Sequence, residues 1–139
     1  MIDLQVNGFA GVDFNSDELD REAFLRASRA LKDIGIHKFL PTLITAPIVK
    51  MKSRAAKLVQ LIEENEELNE MIPGIHLEGP FISKEDGYRG AHPLSDVRFA
   101  DLEIVKDLHD TCAGKLLFFT LAPEQDKRGE VTKFLTNQE

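Results

Sequence analysis

Short apolar runs and helical stripes alternate along this chain. Ile2 to Val6 reads as a strand, and Asp3, Gln5 and Asn7 share one face of it by the two-residue period. Gly8-Phe9-Ala10-Gly11 follows as a loop. Asn15, with Glu18 three residues on, has the form of a capping box for a helix whose inner face is Leu19, Ala23, Ala27, Ala30, Leu31 and Ile34 and whose end is Gly35. Ile36 to Leu43 is the second strand, with Pro41-Thr42 near its end and Thr45 just beyond. Pro47 suits the first turn of the next helix, where Ile48, Met51, Ala55, Leu58 and Ile62 alternate spacings of three and four. The run Glu63-Glu64-Asn65-Glu66-Glu67 predicts a solvated helix end. Met71 to Leu77, broken by Pro73-Gly74, is the third strand, and it stops at Glu78 because Gly79-Pro80 prolongs neither strand nor helix. A long loop then runs from Phe81 to about Ser95. Phe99, Leu102, Val105 and Leu108 mark a helix, Leu116 to Leu121 the fourth strand, and Gly129 to Gln138 the start of another helix.

Strand centres near Leu4, Phe39, Ile75 and Phe118 are separated by 35, 36 and 43 residues. Repeated strand-helix units of this size predict an α/β protein with a parallel sheet. Doubling four such units gives about 280 residues, near the roughly 250 of an eight-stranded barrel. The chain therefore reads as the first four units of a (β/α)8 TIM barrel, with residues 1–139 forming a truncated N-terminal half. A complete, open, doubly wound sheet is the alternative. It lacks the glycine-rich phosphate fingerprint expected after the first strand, since Gly8-Phe9-Ala10-Gly11 has the wrong spacing. A half barrel would leave apolar side chains and two strand edges open, so the expectation is that the chain pairs with a complementary fragment or a second copy, or is the ordered remnant of a longer chain.

Composition narrows the function classes. With 42% hydrophobic and 29% charged residues the chain is too apolar for disorder. Its net charge of -7, with no basic stripe, argues against nucleic acid. No apolar run is long enough for a membrane span and no signal peptide opens the chain, so a cytoplasmic location is expected. The single cysteine, Cys112, excludes an internal disulfide and reads as a buried thiol at a helix end.

The candidate chemistry gathers where strands end: Gln5 and Asn7, Thr42 and Thr45, Glu78, His92 and Glu124. In strand-helix folds that edge is where ligands are handled. A glutamate with histidines suits a divalent cation such as Zn²⁺. His37 begins a strand on the opposite edge, and His109 lies near a helix C-terminus, where a cation is favourable. His76 shares a strand face with Glu78, which allows either a two-ligand pair or, more commonly, a hydrogen-bonded interior histidine. His92, in Gly90-Ala91-His92-Pro93, is the candidate for a substrate-facing role.

Five segments together carry a resemblance: Ile2-Asp3-Leu4-Gln5-Val6-Asn7-Gly8, Pro41-Thr42-Leu43-Ile44-Thr45, His76-Leu77-Glu78-Gly79-Pro80-Phe81, Gly90-Ala91-His92-Pro93 and Thr120-Leu121-Ala122-Pro123-Glu124. In order and spacing they resemble the N-acetylglucosamine-6-phosphate deacetylases of the amidohydrolase superfamily. The resemblance implies a metal-dependent hydrolase that removes acetate from an amino-sugar phosphate in amino-sugar catabolism. It implies Glu78 as a metal ligand and His92 as the group that polarises the acetyl carbonyl. Ala91 would contact the sugar through its backbone, and Gln5 would face substrate. Many amidohydrolases carry His-x-His at the end of the first strand. Gln5 and Asn7 stand there in this chain, which implies one divalent metal, Zn²⁺ in the first instance. Two further histidine ligands, the catalytic aspartate and the phosphate site are implied on later strands, the last partly from a neighbouring subunit of a homo-oligomer. The chain by itself is then an incomplete and inactive site. A non-catalytic sugar-binding or structural barrel fragment is the alternative from another class.

Overall fold

A computed structural model of the chain describes residues 1–138. In chain order its elements are β1 (Ile2–Val6), β2 (Gly8–Phe9), β3 (Val12–Asp13), α1 (Arg21–Asp33), β4 (Lys38–Ile44), α2 (Ile48–Glu63), α3 (Glu66–Met71), β5 (Ile75–Glu78), α4 (Leu102–Thr111), β6 (Leu116–Thr120), a 3-10 turn (Pro123–Gln125) and α5 (Glu130–Thr136). The strands β1-β4-β5-β6 form one four-stranded sheet in that order, every pair parallel. Helices join them, as the repeated strand-helix units predict. No helix among the described residues is long and apolar enough to cross a membrane.

One face of the sheet is clad by helices. Phe39, Leu43, Ile75 and Leu77 from the strands meet Phe24, Ala27 and Leu31 of α1 and Met51, Ala55, Leu58 and Ile62 of α2 in a continuous core. Phe14, Phe24 and Phe39 pack there as an edge-on and stacked trio. The opposite face is open at its two outer strands. Phe118, in register with His76, stands edge-on to its ring and is 46% exposed, while Ile2 at the far strand is 53% exposed.

Several local expectations are corrected. Gly8 to Gly11 is not a plain loop: Gly8–Phe9 pairs with Val12–Asp13 as a small antiparallel hairpin, β2 with β3. Asn15 does not cap α1, whose N-cap is Asp20 with its carboxylate accepting from Ala23 N. Asn15 is buried instead, donating from Nδ2 to Thr42 O and accepting from Ile44 N, so it pins the hairpin to β4. A side-chain amide offers both a donor and an acceptor, which a helix cap would not use. The inner face of α1 includes Phe24 and Ser28, Ala30 is half-buried, and Ile34, the C-cap, is exposed. The acidic run begins as the expected helix end, with Glu63 closing α2 and Glu64 its C-cap, but does not stop there. Asn65 caps a new helix by accepting from Leu68 N, placing Glu66 and Glu67 in a first turn, where the dipole favours them. Met71 closes that helix rather than opening a strand. Phe99 lies before α4, exposed beneath the Lys84 ammonium. In β1 a register shift between Asp3 and Val6 breaks the alternation: Asp3 pairs with Phe39 of the core face, while Gln5 reaches Glu78 on the other.

Candidate active site

The four strands run parallel, so their C-terminal ends share one edge, and the polar residues there converge. Glu78 ends β5. Gly79 turns the chain at a positive φ of 90°, and a Cβ there would collide with the Thr45 hydroxyl, so only glycine lets the strand end against Thr45. The loop that follows folds back over this edge. Its fixed points are Arg89, whose guanidinium donates to His92 O at 3.0 Å and to Asp86 at 2.5 Å, and Arg98 N, which donates to Pro80 O.

Two side chains far apart in sequence meet as a result. His92 Nε2 lies 3.7 Å from Glu78 Oε1, and Gln5 Nε2 donates to the other carboxylate oxygen at 3.0 Å. His92 Nδ1 is held 2.8 Å from Thr45 Oγ1. A cavity of about 990 Å³ opens over them. Asn7, Glu78, Ala91, His92 and Glu124 line it, as their positions at strand ends and on the loop predict. Gln5, Thr42 and Thr45 do not: the Gln5 amide donates to Glu78, and both threonines are buried beneath the cavity. Nor do His37 and His109.

His76 settles one of the open alternatives. It is fully buried, with Nδ1 3.1 Å from Thr42 Oγ1 and Nε2 2.8 Å from Thr120 Oγ1. Both ring nitrogens are occupied within the sheet, so it is the interior histidine and not a partner of Glu78. Burial pushes its pKa below the ordinary histidine value, against the opposing pull of the Glu78 charge. Cys112 is buried at the end of α4, and burial alone pushes its thiol up to about 12, leaving it inert.

Sequence reasoning missed part of the lining: Ser83, Glu85, Tyr88, Arg89 and Thr120. Only their position on the long loop or at a strand end could have signalled them. The donor set limits what the site can hold. Glu78 presents a carboxylate to the cavity and fits as one ligand of a cation, and Glu85 and Glu124 add negative charge to the mouth. Among the described residues, however, no group of three or more His, Cys, Asp or Glu is placed to hold a metal. A catalytic zinc site usually needs three protein ligands. The described residues do not complete such a site.

A parallel α/β sheet with a carboxylate and a loop histidine at its C-terminal edge is the arrangement of a ligand-handling strand-helix fold. The comparisons with known proteins are specific. The N-acetylglucosamine-6-phosphate deacetylase of Bos taurus is 35% identical over 139 residues, 97% of this chain and 33% of the relative. That of Bacillus subtilis is 32% identical over 140 residues, 99% of this chain and 34% of the relative. The crystal structure of the Mycobacterium smegmatis deacetylase superposes with a TM-score of 0.85 at 25% identity, covering 98% of this chain and 34% of that one. Another structure of that enzyme, a variant in complex with N-acetyl-D-glucosamine-6-phosphate, gives 0.79. No protein-family model matches. Sequence and fold agree that the chain is similar to these deacetylases along nearly its whole length, and it spans about a third of theirs.

Proposed function

We propose that this chain supplies one side of the active site of an N-acetylglucosamine-6-phosphate deacetylase, a hydrolase that splits the acetamido C–N bond to release acetate and the amino-sugar phosphate. The observation that carries the reading is the meeting of Glu78 and His92 at 3.7 Å beside the cavity, in a chain similar to deacetylases end to end. Glu78 would be one ligand of a single divalent cation, Zn²⁺ in the first instance, with the remaining ligands outside this chain. Such a cation, when bound, supplies a nucleophile from water at neutral pH and draws charge from a carbonyl oxygen.

This chain's own residues do the rest of what is visible. Gln5 fixes the Glu78 carboxylate by donating to Oε2 and leaves Oε1 toward the cavity side. His92 presents Nε2 to the acetyl carbonyl oxygen, where a donor lowers the cost of the charge that develops. Ala91, next to it on the lining, offers backbone contact to the sugar. Arg89 is committed to Asp86 and to the His92 carbonyl, so the sugar phosphate is left to residues beyond this chain. The sheet would close into an eight-stranded barrel whose remaining strands cover Ile2 and Phe118, in a homo-oligomeric cytoplasmic enzyme.

The test is acetate release from N-acetylglucosamine 6-phosphate by the longest natural product that carries these residues. Activity lost with Glu78→Ala supports the reading; no hydrolysis by an intact, metal-loaded protein sinks it. Calorimetry with the same sugar phosphate on the 139-residue chain separates the non-catalytic alternative, which requires specific binding by the chain alone.

A further inference from the structure

We propose that Thr45 is a positioning residue for His92: its hydroxyl donates to Nδ1, so the neutral imidazole carries its proton on Nε2, the nitrogen turned toward Glu78 and the cavity. The consequence for catalysis rests on the reading of His92 given above, whereas the tautomer itself rests on geometry alone.

A neutral imidazole has one N–H, and the partner of one nitrogen decides which nitrogen carries it. Thr45 Oγ1 lies 2.8 Å from His92 Nδ1, a normal hydrogen-bond length, and 3.4 Å from Glu78 O, beyond the usual range for a hydroxyl donor. The threonine has one proton to give, and the short contact takes it. The other nitrogen gives the same answer. Nε2 faces a Glu78 carboxylate oxygen at 3.7 Å, where an N–H is favoured by the negative charge and a bare lone pair is opposed by it. Both contacts select Nε2–H, and that is the form able to donate to a carbonyl oxygen without prior protonation.

The surroundings hold this threonine in place. It is 2% exposed just past β4, and its hydroxyl occupies the space that any side chain at position 79 would need. Gly79 therefore has a second role: its missing Cβ lets the Thr45 hydroxyl stand between the end of β5 and the loop ring. Arg89 anchors the other side of the histidine through its carbonyl. The ring is thereby fixed in position by one contact and in tautomer by another.

The experiment is long-range ¹H–¹⁵N correlation on the ¹⁵N-histidine-labelled chain, with chelator present and at a pH about two units above the ordinary histidine pKa. His92→Gln identifies the His92 signals. The expected spectrum shows Nε2 protonated and Nδ1 shifted as a hydrogen-bonded acceptor. Thr45→Ser keeps that shift, and Thr45→Val moves Nδ1 to the free-acceptor position. A His92 protonated on Nδ1 in the unmodified chain overturns the proposal, as does an Nδ1 resonance that a folded Thr45→Val leaves unmoved. Should Thr45→Val not fold, the unmodified and Thr45→Ser spectra decide, since a displaced Nδ1 in the serine variant also counts against it. If the tautomer is as stated but His92→Ala deacetylates at full rate, the catalytic reading falls and the assignment of Thr45 stands.

Discussion

His76 and His92 sit on the same side of one sheet and have opposite relations to it. His76 is on a central strand, and Thr42 and Thr120 on the two neighbouring strands occupy both of its nitrogens. His92 is on a loop, and only Nδ1 is taken up, by Thr45, while Nε2 faces a carboxylate beside the cavity. The difference shows that a histidine's residue type and proximity to Glu78 do not make it functional. What matters is whether a nitrogen remains for something other than the protein. His76 spends its polar capacity on joining three strands through their side chains. His92 spends half on staying in place.

The sharpest way to test that contrast is to remove the groups at the mouth in the longest natural product that carries these residues. Glu78→Ala should abolish metal retention and acetate release together, read by elemental analysis and by rate. His92→Ala should keep the metal and slow hydrolysis by about 100- to 1,000-fold, the usual cost of one lost oxyanion donor. Equal metal loss in both variants would break the division of roles. In the 139-residue chain, with Glu78 as its one fitting ligand, elemental analysis should find no stoichiometric zinc. A tightly held metal there would bring His76 back as a ligand.

The same pair should reverse in a stability measurement. His76→Ala strips the half-buried Thr120 hydroxyl of its ring partner, leaves the Thr42 hydroxyl with Leu40 O alone, and opens a cavity, a loss of about 3 kcal/mol in denaturant unfolding. His92→Ala, on the loop, should cost less than about 1 kcal/mol. Asn15→Ala falls between them at about 2 kcal/mol, because it strips two backbone groups of β4 of their buried partners. If His92→Ala were the more damaging of the two histidine variants, the loop would be a structural element and not a mount for the ring.

The strand-helix order and the site edge were legible in the sequence because both follow from period and punctuation. Ile48, Met51, Ala55, Leu58 and Ile62 mark α2 unaided, and Gly79-Pro80 places Glu78 at a strand end. What was not legible depends on partners distant in sequence. Asn15 looks like a cap because capping is local, and only the return of β4 reveals the backbone groups that claim its amide. The bulge in β1 is likewise set by its pairing to β4, so no two-residue count could place Asp3 and Gln5 on different faces. Thr45 was read as one more hydroxyl at an edge. Its link to His92 exists only once the loop has folded back over Gly79.

The smallest expected effect is on the pH dependence of stability in the metal-free chain, and its sign follows from His76. Burial lowers its folded pKa below the ordinary value near 6.5, so the unfolded chain binds this proton more readily than the folded one. Stability from this group is fully present above that ordinary value and is lost as pH falls through the folded pKa. At most one proton is involved, a slope of no more than about 1.4 kcal/mol per pH unit. Urea midpoints measured between about pH 8 and 5 should therefore fall on acidification, and His76→Gln, which cannot titrate, should flatten that part of the profile. A slope that survives the His76 substitution would mean that another group carries the proton uptake, and that the strand histidine is not sealed from solvent.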